Sequence, residues 1–157
     1  MYVVTGATGH TGEVVATTLL KKGEKVRVVG RSAERLKKLA EEGAEPFAAD
    51  LTDVGSLTKA LVGAKAAYVM MPPNLAAPDF RAFQNRVAET IAAAIKAAGV
   101  THAVTLSSIG AEKTEKTGPV VGLHYLEQQL NGIDGLNVLH LRAGYFMENT
   151  LAQIDLI

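Results

Sequence analysis

The sequence predicts an α/β fold with a doubly wound parallel sheet, and three observations support this fold class. Short apolar runs rich in β-branched residues alternate with longer helical patterns along all 157 residues, which is typical of strands and crossover helices in a parallel sheet. The runs are almost uninterrupted by polar residues, as expected of a sheet that is covered on both faces. A glycine-rich turn separates the first run from the first helical pattern. We therefore expect one domain over residues 1–157 with the strand order 3-2-1-4-5-6.

Six segments are predicted to be strands because they are short, apolar and bounded by glycine, proline or polar residues. These segments are Met1–Thr5, Lys25–Val29, Ala44–Ala48, Lys65–Met70, Thr101–Ser107 and Leu136–Arg142. The patterns between them predict helices, several of which end at a glycine. The helices run from Thr11 to Lys22, from a cap at Ser32 to Glu42, from a cap at Thr52 or Asp53 to Val62, from Pro78 to Ala98 and from Val120 to Asn131, and another begins over Phe146–Ile154.

The longest predicted helix is the one from Pro78 to Ala98. Pro78 suits its first turn, because an amide there needs no partner within the helix. The apolar residues of this helix recur at intervals of three and four, which predicts one buried stripe. The stripe comprises Phe80, Phe83, Val87, Ile91, Ala94 and Ile95.

The composition excludes several classes of protein. Lys and Arg together number 16, as do Asp and Glu, so no excess charge favours nucleic acid or an anionic membrane as a partner. No uninterrupted apolar run reaches the roughly 18 residues that span a bilayer, and no signal peptide precedes the first strand. The absence of cysteine excludes disulfides and thiolate metal sites, and the four histidines lack ligand spacing, so no metal site is expected. We expect a soluble, cytoplasmic protein that binds a small-molecule substrate. The sequence does not decide whether the protein forms a homo-oligomer.

The turn after the first predicted strand has a glycine spacing typical of dinucleotide-binding proteins. Its three glycines lie three residues apart, between a predicted strand and a predicted helix. The first glycine permits a tight turn, the second lets the backbone approach a diphosphate, and the third allows close packing of helix and strand. Free amides at the helix N-terminus would hold the phosphates, which predicts a Rossmann fold; a turn that binds no ligand is the alternative. The predicted cofactor contacts in this turn are Gly6, Thr8, Gly9, His10, Thr11 and Gly12.

The end of the second strand favours NADP(H) over NAD(H). NAD-binding proteins of this fold usually place an acid there to bind the ribose hydroxyls, and this sequence has none at that end. Arg31 can instead pair with a 2′-phosphate through its planar guanidinium group, and Ser32 can add a hydroxyl. A solvated arginine at a helix start is the alternative.

Two further pairs of residues follow strands at the same predicted edge of the sheet. Asp50 and Leu51 follow the third strand, where Asp50 would accept a hydrogen bond from the adenine amino group and Leu51 would pack near the ring. Asp50 as a cap of the next turn is an equal alternative. Met71 and Pro72 follow the fourth strand, beside the ribose and phosphates, although methionines are more often core packing.

Candidate catalytic groups come from the fifth strand and the helix after it. Ser107 and Ser108 end the strand, where ligands of open α/β sheets collect. Ser107 is expected to contact the cofactor, and Ser108 is a candidate catalytic residue. Tyr125 can donate a proton to a carbonyl group if a nearby cation lowers its pKa. The position one helical turn later holds the uncharged Gln129, which weakens that role. The alternative is that Tyr125 is an ordinary half-buried aromatic residue.

Two segments resemble the NmrA-like branch of the short-chain dehydrogenase/reductase superfamily. They are Val4–Gly12 and Leu141–Asn149. The resemblance implies binding of NAD(P)H, with Arg31 as the usual NADP(H) contact. It also implies that Tyr145 and Phe146 are walls near the nicotinamide.

The resemblance leaves the activity open in one respect. Reductases of the wider superfamily use a serine and a Tyr-x-x-x-Lys motif for proton chemistry. The region of Ser107 or Ser108 matches that serine, whereas Tyr125 followed by Gln129 departs from the motif.

The function implied by the resemblance is an NADPH-dependent oxidoreductase that reduces a quinone or another small carbonyl compound. A non-catalytic NADP(H)-binding redox sensor is the alternative, because other members of the branch bind the cofactor without turnover. An enzyme of the nucleotide-sugar or isomerase type is a weaker third interpretation. Family members continue into a smaller C-terminal substrate-binding part, so we expect this chain to be a fragment from which that part is absent.

Overall fold

Six parallel strands and five α-helices alternate in the computed structural model, which describes residues 1–156 and, for side chains, residues 1–151. The strands are β1 Tyr2–Thr5, β2 Val26–Gly30, β3 Glu45–Ala48, β4 Ala66–Met70, β5 His102–Ser108 and β6 Asn137–Ala143. The helices are α1 His10–Lys21, α2 Ala33–Glu41, α3 Val54–Leu61, α4 Phe80–Ala98 and α5 Val120–Asn131, followed by a 3₁₀ helix over Met147–Leu156.

The strands form one parallel sheet in the order β3-β2-β1-β4-β5-β6. This order confirms the predicted doubly wound Rossmann-type fold. In register, Val4 of β1 lies opposite Val28 of β2 on one side and Tyr68 of β4 on the other. From β1 the chain adds strands β2 and β3 on one side, and it then crosses over to add β4, β5 and β6 on the other side. Ligands of open α/β sheets bind in the crevice at such a switch point, here between β1 and β4.

Helices cover both faces of the sheet. The helices α1 and α2 pack on one face, and α3, α4 and α5 pack on the other. Successive residues of a strand point to opposite faces, so Val3 joins the core beneath α3–α5 while Val4 joins the core beneath α1 and α2. Burial of neighbouring residues on both faces explains the continuous apolar runs of the central strands β1 and β4. The edge strands β3 and β6 are largely exposed, so the expectation of a sheet covered on both faces does not extend to them.

The long helix α4 starts later than the sequence predicts. It begins at Phe80, and Asp79 caps it by accepting a hydrogen bond from the amide of Ala82 at 2.8 Å. The placement of Pro78 in the first turn was therefore wrong, because a carboxylate that satisfies a free amide is the stronger start signal. None of the helices within residues 1–156 is long and apolar enough to cross a membrane.

Two other helix starts bear on predictions: one decides between two alternatives, and the other differs from what was expected. Asp53 rather than Thr52 caps α3, since its carboxylate accepts from the amide of Gly55 at 2.9 Å. The segment predicted as a helix from Phe146 forms a 3₁₀ helix that begins at Met147.

Candidate functional site

A cleft of about 780 Å³ opens at the carboxyl ends of β1, β4, β5 and β6. Its walls are the glycine turn after β1, the loop after β4, the starts of α4 and α5, and the segment after β6. The parallel sheet thus gathers residues from distant parts of the sequence at the switch point. The predicted cofactor contacts that line the cleft are Gly6, Gly9, His10, Thr11, Met71, Pro72, Ser107, Tyr145 and Phe146.

The glycine turn has a geometry that side chains would prevent. Gly6 has a φ of +62°, a left-handed conformation that favours glycine. The amide of Gly9 donates to the carbonyl of Gly6 at 3.0 Å and closes the turn. A Cβ atom at Gly12 would overlap the backbone of Gly6, so the start of α1 packs directly against the turn. Gly9 lines the cleft, and a Cβ atom there would meet the protein no closer than 3.4 Å.

The start of α1 presents unpaired backbone amides to the cleft. Gly9 occupies the N-cap position and has no side chain that could cap the helix. The amide of Glu13 is the first to bond within the helix, donating to Gly9 at 2.9 Å. The preceding amides of His10, Thr11 and Gly12 have no helical acceptor. This arrangement suits a diphosphate, because the amides and the helix dipole both favour an anion.

A second depression lies on the other side of the glycine turn. It is lined by Thr8, Arg31, Ser32 and Arg35. Ser32 is the N-cap of α2, but its hydroxyl makes no capping hydrogen bond. Both arginines are exposed, and neither has an ion-pair partner among the side chains that the structure describes. The depression therefore offers two free guanidinium groups and a free hydroxyl to an anion.

Asp50 and Leu51 follow β3 at the same edge but line neither cavity. A carboxylate oxygen of Asp50 accepts from both the amide and the hydroxyl of Thr52, each at 2.8 Å. This is the turn-capping geometry that the sequence left as an alternative. Leu51 is partly buried against the core beneath α3–α5. Contacts of these two residues with adenine stay a prediction.

An ion pair between the buried Glu127 and the partly exposed Arg142 lies behind the cleft wall. The hydroxyl of Ser107 donates to the carboxylate of Glu127 at 2.6 Å, and Arg142 binds the same carboxylate through two hydrogen bonds of 3.0 and 2.6 Å. Burial opposes ionisation of Glu127, but the hydrogen bonds from Arg142 and Ser107 outweigh this effect and lower its pKa. Glu127 is therefore a carboxylate that fixes the orientation of the Ser107 hydroxyl.

The two predicted catalytic residues are not brought together. Ser108 lines the cleft, and its hydroxyl donates to the carbonyl of Ile109 at 3.1 Å. Tyr125 is not among the residues that line the cleft; its hydroxyl donates to Glu89 of α4 at 2.9 Å. This hydrogen bond, together with burial, raises the pKa of Tyr125. A proton donor must also reach the substrate, and the catalytic role of Tyr125 stays a prediction.

Three residues beside these cavities were not predicted from the sequence, namely Arg35, Gln84 and Glu127. Arg35 lies four residues after Arg31, a helical spacing that could have found it. Gln84 is a buried polar residue within the apolar stripe of α4, which was also a usable signal. No local pattern distinguishes Glu127. Within the part of the chain whose side chains are described, no three His, Asp or Glu residues form a group that could hold a metal ion.

Two curated relatives of the chain are reductases. It is 32% identical to a (4-alkanoyl-5-oxo-2,5-dihydrofuran-3-yl)methyl phosphate reductase of Streptomyces griseus, over 97% of this chain and 50% of the relative. It is 29% identical to an NAD(P)H azoreductase of Xenophilus azovorans, over 96% of this chain and 50% of the relative. The chain thus spans about half the length of these relatives.

Solved structures of related proteins share the fold and include cofactor complexes. The triphenylmethane reductase of Citrobacter sp. in complex with NADP(H) superposes with a TM-score of 0.84 at 25% identity, covering 96% of this chain and 51% of that one. An NADPH-dependent quinone oxidoreductase of Escherichia coli in complex with NADPH gives a TM-score of 0.82 at 26% identity, covering 98% and 52%. The chain also matches a family of NAD(P)H-binding proteins over residues 6–142, a span that runs from the first glycine of the turn into β6. This protein therefore belongs to the NAD(P)H-binding family.

Proposed function

We propose that this protein binds NADP(H) in preference to NAD(H) and uses it to reduce a quinone or another small carbonyl compound. The observation that carries the proposal is the pair of anion sites around the glycine turn. One consists of the free amides at the start of α1, and the other is the depression that contains Arg31 and Arg35. The reductases among the relatives and solved structures support the redox part of the proposal.

The preference for NADP(H) follows from the charge at the end of β2. A 2′-phosphate would meet Arg31, Arg35 and the hydroxyl of Ser32, all of which line one depression. Hydrogen bonds between a guanidinium group and a phosphate are charge-assisted and can be bidentate. NAD(H) carries an uncharged hydroxyl in place of this phosphate, and the usual acid for its ribose hydroxyls is missing at this point of the sequence.

The residues around the rest of the cleft suit hydride transfer to an apolar substrate. The nicotinamide, when bound, supplies the hydride. Met71, Tyr145 and Phe146 line the cleft and offer apolar surface against which a nicotinamide and a substrate ring can pack. The Ser107 hydroxyl donates its hydrogen bond to Glu127, so its oxygen is free to accept a hydrogen bond from a ligand. The hydroxyl of Ser108 donates one hydrogen bond, to the carbonyl of Ile109. It would have to break this bond before it could donate to a substrate carbonyl.

Turnover is tested by following the loss of NADPH absorbance with a panel of quinones, while calorimetry measures NADPH binding to the same protein. We expect quinone-dependent oxidation of NADPH. We also expect Tyr125→Phe to retain it, because the removed hydroxyl is bonded to Glu89 outside the cleft. Loss of turnover in that variant, with binding intact, would return Tyr125 to the mechanism.

A redox sensor that binds NADP(H) without turnover is the second candidate. It is favoured by the position of Tyr125 outside the cleft and by the uncharged Gln129 one turn later. Tight NADPH binding without oxidation by any quinone of the panel would support the sensor and reject the oxidoreductase.

A further inference from the structure

Gln84 is a buried amide in the wall of the cleft. It is 4% exposed and lines the cleft from the second turn of α4. Its neighbours along the cleft wall are apolar, among them Phe80, Val120 and Leu123. A polar side chain in such surroundings needs hydrogen-bond partners, because burial without them is unfavourable.

One hydrogen bond fixes which way the amide points. The Nε2 atom of Gln84 donates to the carbonyl oxygen of Pro119 at 2.8 Å. A carbonyl oxygen only accepts, so the amino group must face Pro119 and the amide cannot be turned around. Its Oε1 atom receives no hydrogen bond from the residues whose side chains are described and is not among their fully buried unpaired polar atoms, and the side chain lines the cleft.

Gly122 of α5 holds the amide from a second side. A Cβ atom at this position would overlap Cδ, Nε2 and Oε1 of Gln84. The amide therefore lies flat against the backbone of α5, and the absence of a side chain at Gly122 makes its position possible. Both the orientation and the location of the Gln84 oxygen are fixed before any ligand binds.

We infer that Gln84 determines substrate specificity, its Oε1 atom being a preformed acceptor for an O–H or N–H group that the substrate carries beside its reducible carbonyl. A site built to accept a hydrogen bond discriminates against an analogue without the donor, because its own buried acceptor is then left unpaired. The inference rests on the proposed function for the reducible group. The recognition itself is a property of binding and can be measured without turnover.

The test compares methyl-p-benzoquinone with hydroxymethyl-p-benzoquinone, which differ by one hydroxyl. Quinones alkylate thiols, but the chain has no cysteine. We expect kcat/KM to favour the hydroxymethyl compound by about three- to tenfold, the worth of one hydrogen bond. In Gln84→Met the ratio should fall to about one, because the side chain keeps its length and loses its amide. Gln128→Met, an exposed position on α5, is the matched control and should keep the wild-type ratio.

A second variant separates the position of the amide from its presence. Gly122→Ala keeps the glutamine in the sequence, but the added methyl group displaces the Gln84 amide from its position. The ratio should therefore fall as it does in Gln84→Met. A wild-type ratio near one, or an unchanged ratio in Gln84→Met, overturns the inference. If neither quinone is reduced, the proposed function fails, and the dissociation constants of the two compounds from the protein loaded with NADP⁺ decide the role of Gln84. Equal constants, or no binding of either compound, then reject it.

Discussion

Replacing Gly9 with alanine is expected to weaken the binding of NADPH and NADH alike while the chain stays folded. The added Cβ atom would lie 3.4 Å from the nearest protein atom, the Gly6 carbonyl oxygen, which is ordinary contact. It would occupy the space through which a diphosphate reaches the amides of α1. We expect a loss on the order of tenfold to hundredfold in the affinity of both cofactors, about 1.4–2.8 kcal/mol, measured by calorimetry.

The neighbouring positions make this prediction specific. Gly12→Ala should lower the free energy of unfolding by about 1–3 kcal/mol, because its Cβ atom would overlap the backbone of Gly6. Gly55→Ala is the control, since this glycine lies in α3 with room for a methyl group. This variant should neither lower the cofactor affinity nor lower the free energy of unfolding. Unaltered NADPH affinity in Gly9→Ala would mean that the diphosphate does not lie on this turn.

Replacing Arg31 with alanine is expected to weaken NADPH binding far more than NADH binding. In the proposed binding mode the lost contact would be a charge-assisted hydrogen bond to the 2′-phosphate, worth about 1.5–3 kcal/mol. This corresponds to a fall of roughly tenfold to 150-fold in the preference for NADPH. Because the site is exposed, the preference should also shrink as the salt concentration rises.

Arg35→Ala should change the preference in the same direction, since Arg35 lines the same depression as Arg31. Arg86→Ala is the matched control, because Arg86 is exposed on α4 and lines neither cavity. Titration of each variant with both cofactors gives the ratio of dissociation constants. If Arg31→Ala weakens NADPH and NADH equally, the guanidinium group does not contact a 2′-phosphate.

The parallel sheet could be predicted because crossover helices connect its successive strands, and the strand order because the glycine turn after β1 is typical of the Rossmann fold. Element ends were less well defined, as α4 shows. Pro78 and Asp79 are both start signals, and only the hydrogen bond from Ala82 to Asp79 decides between them. The segment from Met147 lacks such signals, and the sequence does not distinguish its 3₁₀ geometry from an α-helix.

The parts of the site that could be predicted are those with a local sequence signal. The glycine turn and Arg31 each lie directly after a strand, and parallel strands bring such positions to one edge. The contact of Ser107 with Glu127 joins β5 to α5 across 20 residues. The packing of the Gln84 amide against Gly122 joins α4 to α5. Contacts of this kind depend on how the helices pack, and no local sequence pattern specifies that packing.

The direct measurement is a titration of the whole chain with NADPH, followed through the backbone amide NMR signals. We predict saturable binding in which the largest shifts fall on His10, Thr11 and Gly12 at the start of α1, with further shifts at Arg31 and Arg35. Saturable binding that leaves the amides of α1 unmoved, or no association with NADPH or NADH, would contradict a dinucleotide site at this helix.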